Sequence, residues 1–452
     1  MFVDEAEGKA TFLIRRKCNT KDFMEIRIAV IGNVDAGKST MLGVLTKNQL
    51  DDGRGKARSH LFRHKHEMDS GRTSSVGQEI MGVASDGEIV ESTKTLANGS
   101  VRKLDWREIC EKSAKLFTFL DLAGHEKYLK TTMFGLTGCV PDYAMLMVGS
   151  NAGMIGMAKE HLALAFSLSI PTLVVVTKID MTPAAVLESN VQHLCKILKG
   201  PSCRRVPIII KSKQDIIKTI QNIADKICPI FLVSNVSGDG LDLLKSFFNL
   251  LPIPAKKYKK ASPFEFAINE NYCVSGVGTV VSGIVCNGIV HNGATVLLGP
   301  TSKGQFTPVQ IKGVHRRRMP VDSTVAGQST SFALKNVKRN EISKGMVLLA
   351  KDYFTLPQSA ELGKAVFEFE AEILILFHST TIGSKYQAMM HCGVVRQVVK
   401  IVSMEKEVLR TGDRAIIRFR FIKNAEFLKV GWRLLFREGR TKGVGKILSL
   451  FQ

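Results

Sequence analysis

Eight residues near the N-terminus, Gly32-Asn33-Val34-Asp35-Ala36-Gly37-Lys38-Ser39, fit the pattern G-x-x-x-x-G-K-[ST]. Such a loop turns its backbone N–H groups inward around anionic phosphate oxygens. Lys38 reaches the β- and γ-phosphates, and the Ser39 hydroxyl is directed at Mg²⁺. The flanks carry the expected periods. Glu25 to Ile31 alternates polar and apolar residues like a strand, and Lys38 to Thr46 places Met41, Leu42 and Leu45 at helical spacing. Strand, glycine loop and helix in that order set a phosphate at a helix N-terminus, where the dipole favours anions. The phosphate-binding set is therefore predicted to run from Gly32 through Thr40.

The strand–helix alternation continues as far as Leu251. Lys115 to Leu120, Tyr143 to Gly149, Thr172 to Thr177 and Ile230 to Ser234 are short apolar runs, separated by helical patterns over Lys159 to Ser169, Ala184 to Lys199 and Asp239 to Leu250. Continuous apolar strands between helices predict a mostly parallel sheet covered on both faces. Asp51 to Ile80 and Met81 to Lys112 interrupt this rhythm with charge and glycine, and read as mobile or semi-ordered loops. A basic linker, Pro252 to Lys260, marks a boundary, after which the helical period vanishes. Short alternating strands with glycine turns run from Phe264 to Ala350 and from Ala365 to Phe451. The expected architecture is an α/β P-loop domain followed by two β-barrels: a short N-terminal segment 1–24, the nucleotide domain 25–252, a linker 253–262, and barrels over 263–352 and 363–452.

Three further segments complete the nucleotide site. Asp121-Leu122-Ala123-Gly124-His125-Glu126 follows a strand tip directly. There Asp121 can hold Mg²⁺ through a water, and the Gly124 amide can meet the γ-phosphate. Thr177-Lys178-Ile179-Asp180 ends a buried strand. An aspartate at Asp180 can accept from both N1–H and the exocyclic amino group of guanine, a donor pair that adenine lacks, while the Lys178 stem covers the ring face. Ser234-Asn235-Val236-Ser237-Gly238 offers backbone donors to the guanine O6. The set predicts GTP rather than ATP.

Charge and cysteine usage restrict partners and compartment. Lys and Arg number 63 against 41 Asp and Glu, a formal net charge of +22. This excess favours a polyanion partner through counterion release, with RNA or an acidic membrane surface as the candidates. It is carried partly by Lys56 to Lys65, by Lys256 to Lys260 and by His315-Arg316-Arg317-Arg318, behind an N-terminal lead-in Arg15-Arg16-Lys17. The nine cysteines are scattered with no C-x-x-C pair, which suggests reduced thiols in a cytosolic protein and argues against zinc. The acidic first residues lack the apolar core of a signal peptide, and no apolar run is long enough to span a bilayer.

The ordered set resembles the translational GTPases of the elongation factor Tu and elongation factor 1-alpha class. Gly276 to Gly283 resembles the opening of that class's second-domain barrel, and Phe436 to Thr441 the end of its third. Gly53 to Arg58, Leu61 to Glu67, Ser70 to Gly77 and Asp121 to Lys130 are similar to the GTP-binding protein 1 and 2 family within the class. The resemblance implies a long N-terminal extension that this chain lacks, as a short form or a fragment would. It implies that Thr73 is the switch I threonine, binding Mg²⁺ through its hydroxyl and the γ-phosphate through its backbone. His125 would orient the attacking water. Lys38 with Mg²⁺ would neutralise charge. Switch loops released on hydrolysis would swing the barrels and change partner affinity. Arg72 stands where elongation factors place an apolar residue that gates the histidine, with Val34 remaining on the other side. Ala36 replaces a phosphate-loop histidine, and Thr177 replaces the usual asparagine.

The reading is a three-domain GTPase that hydrolyses GTP with Mg²⁺. It would deliver aminoacyl-tRNA to ribosomes or act in translation-coupled RNA surveillance, as a cytoplasmic monomer without membrane contact. The alternative is a GTP-gated RNA-binding adaptor that recruits an RNA-decay or regulatory complex without tRNA cargo. A signalling GTPase without RNA is disfavoured by the charge.

Overall fold

The computed structural model describes residues 2–4, 9–11, 23–59, 61–62, 65–90, 92–95, 101–201, 203–220, 222–223, 226–253, 258–355, 362–439 and 441–451. Arg15-Arg16-Lys17, Arg63, His64, linker residues 254–257 and Arg440 lie outside them. The chain divides into two compact units, Met1–Leu136 with Pro141–Pro254, and Thr137–Val140 with Ala255–Gln452.

The first unit is built on a seven-stranded sheet. Its strands are β1 (Met24–Gly32), β2 (Gly77–Val83), β3 (Lys115–Asp121), β4 (Tyr143–Gly149), β5 (Thr172–Thr177), β6 (Val206–Ile209) and β7 (Ile227–Leu232). The order is β6-β7-β5-β4-β1-β3-β2, with every neighbouring pair parallel except the antiparallel edge strand β2 on β3. Register aligns the strand tips. Val30 pairs with Asp121, Gly32 with Met147 and Gly149 with Thr177. The C-terminal ends of β1, β3, β5 and β7 thus share one edge, where ligands of open α/β sheets bind.

The polar positions Glu25 and Arg27 of β1 are both buried. Arg27 is satisfied there by Asp142, with its N–H bonded to Oδ2 at 2.8 Å and the guanidinium 3.3 Å from the same oxygen. Burying that charge is tolerable because it is paired and hydrogen-bonded. The expectation of mobile or semi-ordered loops over 51–112 is corrected, because the described residues there form regular elements. They contain short helices over Lys56–Ser59 and Lys65–Ser70, the strand β2, and the helix Trp106–Lys112. Asp105 and Glu108 close that last helix with a reciprocal capping box. β2 carries little local signal because Gly77-Gln78-Glu79 breaks its apolar pattern, and its place in the sheet comes from pairing with β3. The helix Leu129–Thr137, the strand β6 and the helix Lys213–Ile220 are further elements without a strong local signal.

Helices flank the sheet, among them α1 (Lys38–Lys47) directly after the phosphate loop. The core gathers Ile28, Val30, Leu42, Phe117, Phe119, Met145, Phe231 and Phe248. Lys115 is buried at the start of β3, where its ammonium bonds the carbonyls of Phe248 at 2.9 Å, Asn249 at 3.1 Å and Leu251. A cation in that position satisfies the free carbonyls at the end of the helix Leu241–Leu250.

The second unit holds two all-β assemblies. In the first, Glu265–Val274, Gly278–Asn287, Thr295–Gly299, Thr307–Arg316, Ser329–Leu334 and Val347–Ala350 form a ring closed by pairing of Thr295–Gly299 with Thr307–Arg316. Phe266, Val281, Phe332 and Leu348 fill it. The second is a closed barrel of six strands between Glu368 and Phe451, packed by Phe369, Ile417, Phe419 and Phe436. The two meet through Leu349, Tyr353 and Phe427. There the buried Glu265 carboxylate accepts from Tyr353 Oη at 2.5 Å, Asn287 Nδ2 at 2.9 Å and Lys429 Nζ.

Candidate nucleotide site

β1 ends in the phosphate loop because the chain must leave the sheet sharply there. Gly32 has φ +142°, and a side chain on it would strike the Met147 carbonyl of the neighbouring strand. Asp35 and Gly37 follow with φ 60° and 79°, and Gly37 caps α1. The Gly32 N–H is held by a residue that local sequence does not flag. Buried His161, on the helix Met157–Ser167, accepts from it through Nδ1 at 3.1 Å. Burial lowers the His161 pKa to about 3, with the Lys38 charge acting in the same direction. The imidazole is therefore neutral and remains an acceptor.

Lys38, Ser39, Thr73 and Asp121 converge although they come from four separate stretches. Ser39 Oγ donates to Asp121 Oδ2 at 2.8 Å, and Thr73 Oγ1 does so at 3.2 Å. The two hydroxyls are 3.0 Å apart. Asp121 Oδ1 is buried without a hydrogen-bond partner among the described residues. Two hydroxyls and a carboxylate with an unused buried oxygen form an all-oxygen donor set, which fits Mg²⁺. Burial raises the Asp121 pKa, opposed first by the Lys38 charge and then by the two hydroxyls. Burial lowers that of Lys38, opposed by Asp121 and Asp35. The two charges stabilise each other, and Lys38 Nζ also donates to the Asn33 carbonyl at 2.6 Å. Gly124 is forced by this crowding, since a Cβ there would lie 2.8 Å from the Gly32 carbonyl oxygen and against Lys38 Nζ.

Thr73 is held by a second unflagged residue. Buried Glu67 Oε1 accepts from the Ser74 N–H at 2.8 Å, the Ser74 hydroxyl at 2.7 Å and the Ser75 N–H at 3.3 Å. His125 begins a 3₁₀ turn over Glu126–Tyr128, where its Nδ1 accepts the Lys127 N–H at 3.1 Å. The cleft above the phosphate loop is lined by Val34, Lys38, Arg58, Arg72, Thr73 and His125, with Ser39, Thr40 and Gly124 also on its wall. Leu122 and Ala123 are buried behind it.

The guanine-reading segments sit at the same sheet edge. Thr177 Oγ1 donates to the Ala36 carbonyl at 3.0 Å and so ties β5 to the phosphate loop. Ser150 Oγ donates to the Lys178 carbonyl at 2.9 Å, Thr182 Oγ1 does so at 3.0 Å, and Asn190 Nδ2 holds the Ser150 carbonyl at 2.7 Å. Lys178 has φ 64° in this turn, Ile179 is half-buried, and Asp180 is exposed. In the last loop, Ser234 Oγ accepts the N–H groups of Val236 at 3.1 Å and Ser237 at 3.0 Å. Those two amides are therefore committed within the loop. Buried Asn235 Oδ1 has no partner among the described residues, and the Asn235 carbonyl receives the Asp51 N–H at 2.9 Å.

The basic run of the second unit is not uniformly solvated. His315 and Arg318 are exposed, Arg316 is buried, and Arg317 is half-buried with Nη2 3.4 Å from Ser329 Oγ. Among the described residues no helix is long and apolar enough to cross a membrane.

Comparison with known proteins agrees with this geometry. Residues 24–253 match the family model described as the elongation factor Tu GTP binding domain, and residues 278–349 match elongation factor Tu domain 2. The chain is 53% identical over 450 residues to GTP-binding protein 1 of Xenopus laevis, covering 99% of this chain and 67% of that protein. It is 44% identical over 447 residues to GTP-binding protein 2 of Homo sapiens, covering 97% and 71%. The crystal structure of translation elongation factor SelB from Methanococcus maripaludis in complex with the GTP analogue GppNHp aligns with a TM-score of 0.62. That alignment covers 95% of this chain and 80% of the other, and at 19% identity it speaks to the fold alone.

Proposed function

This chain belongs to the elongation factor Tu family of translational GTPases and hydrolyses GTP to GDP and phosphate, and from that premise we propose that its GTP state carries aminoacyl-tRNA to the ribosome. The observation that carries the reading is the Ser39–Thr73–Asp121 cluster, which joins switch I to the phosphate loop. A segment held there only while the γ-phosphate is present makes partner affinity depend on the nucleotide. The formal charge of +22 supports an RNA partner.

In the proposed mechanism the loop amides and Lys38 hold the β- and γ-phosphates, and Mg²⁺ would be held by Ser39 and Thr73 and, through a water, by Asp121. Bound there, Mg²⁺ neutralises charge on the phosphate oxygens. His125 orients the attacking water. With Nδ1 accepting from Lys127, its Nε2 carries the proton, so the ring positions the water as a donor rather than deprotonating it. The water oxygen attacks the γ-phosphorus, the bond to the β–γ bridging oxygen breaks, and the proton leaves on inorganic phosphate. Asp180 reads guanine and Lys178 covers the ring. The Asn235 amide serves the guanine O6, because the amides of Val236 and Ser237 are already taken.

The functional domains in this reading are 25–252, 263–352 and 363–452, with the basic linker 253–262 between the first two, in a cytoplasmic monomer. Filter binding of charged and uncharged tRNA with GTP or GDP tests it. GTP-dependent preference for charged tRNA is the expected result. Equal binding to any RNA in both nucleotide states overturns delivery and indicates an adaptor.

A further inference from the structure

Two arginines line the cleft that also holds Lys38, Ser39, Thr73 and His125, and they differ in how they are held. Arg72 is exposed, whereas Arg58 is half-buried. Arg58 rides on the short helix Lys56–Ser59, which is anchored on both sides. The buried Ala57 N–H donates to Asp51 Oδ1 at 2.8 Å, and Asp51 Oδ2 takes the N–H groups of Gly53 and Gly55, each at 3.1 Å. On the α1 side the helix packs so closely that a Cβ on Gly43 would strike the Ala57 carbonyl.

The guanidinium is located by two further glycines. A Cβ on Gly55 would come within 2.6 Å of Arg58 Nε, and one on Gly71 within 3.4 Å of its Nη2. Gly71 lies two residues before Thr73. The nearby acids are committed elsewhere: Asp51 to the loop amides, Glu67 to Ser74 and Ser75, Asp121 to Ser39 and Thr73. Among the described residues the Arg58 side chain makes no hydrogen bond or ion pair. A guanidinium without a carboxylate, fixed on an anchored turn beside a phosphate cleft, has the charge and geometry to take phosphate oxygens.

We propose that Arg58 is a catalytic residue of GTP hydrolysis, an arginine supplied in cis that binds oxygens of the transferring phosphoryl group. The proposal rests on GTP hydrolysis at this site. As the bond to the bridging oxygen breaks, negative charge grows on the β-phosphate and is shared with the γ-oxygens. Arg58 N–H groups neutralise that charge while the guanidinium keeps its protons. Because the helix is already in place, little reorganisation is needed at the moment of reaction.

The test is single-turnover hydrolysis of GTP by the full chain, alongside the affinity for a non-hydrolysable GTP analogue and trapping of a GDP–aluminium fluoride complex. Arg58→Ala is expected to slow hydrolysis on the order of 30-fold or more, to keep analogue affinity, and to lose the aluminium fluoride complex. Arg58→Lys preserves charge and bulk but lacks the planar fork, and is expected to recover less than about a tenth of the rate. Arg54→Ala, an exposed change outside the cleft, serves as the control. Wild-type rates in both Arg58 variants overturn the proposal. So does a parallel loss of analogue affinity and rate, which marks a ground-state or structural role. A defect confined to Arg72→Ala overturns it as well. If wild-type protein neither binds the analogue nor cleaves GTP, the hydrolytic reading itself fails and takes the proposal with it.

Discussion

Thr177 and Ala36 lie 141 residues apart and are joined by a buried hydrogen bond of 3.0 Å from the Thr177 hydroxyl to the Ala36 carbonyl. The bond makes the strand that leads to the base-reading turn a brace for the phosphate loop. Thr177→Val keeps the shape of the side chain and leaves the carbonyl unpaired, a cost of about 1–3 kcal/mol when buried. Affinity for GTP and GDP is expected to fall together, since both use the loop. Calorimetry checks this; a loss confined to GTP would show that the bond serves the γ-phosphate instead.

Asp180 is exposed and makes no hydrogen bond among the described residues, so its carboxylate remains available to a base. Asp180→Asn replaces one acceptor with a donor. GTP affinity is expected to drop at least about 100-fold, with xanthosine triphosphate gaining in its place. Unchanged discrimination between the two nucleotides removes Asp180 from base reading.

His161 is held neutral, its pKa lowered from 6.5 to about 3 chiefly by burial. Its contribution to stability is present above pH 6.5 and is lost as pH falls towards 3. The difference in unfolding midpoint between wild type and His161→Gln should therefore shrink between pH 7 and pH 4. A gap that widens in acid contradicts the assignment.

Glu426 behaves in the opposite sense. Burial raises its pKa from 4.5 to about 7, only partly opposed by the Gln397 side chain, whose Nε2 donates to it at 2.6 Å. The neutral form is favoured in the fold, so stability is greatest below pH 4.5 and declines as pH rises through 7. From that shift, Glu426→Gln should gain on wild type by about 3 kcal/mol between pH 4 and pH 8. Chemical denaturation at a series of pH values reads the gap directly, and a gap independent of pH refutes it.

Where the chemistry is contiguous, the residues alone reveal it. Gly32 to Ser39, Asp121 to Gly124 and Thr177 to Asp180 each carry backbone geometry and functional group within a few residues, so local pattern is enough to see them. The parallel sheet and the two barrels were legible for the same reason, because apolar period reports burial. Tertiary structure decided what depends on distant neighbours. His161 is an unremarked helix residue until β1 brings the Gly32 N–H to its ring, and Glu67 is one charge among many until Ser74 folds back onto it. Arg27 is one polar position of a strand until Asp142, just before the adjacent strand, meets its N–H. Hydrogen bonding and charge pairing are short-ranged, so a polar side chain acquires its role only from whatever the fold places within about 3 Å of it.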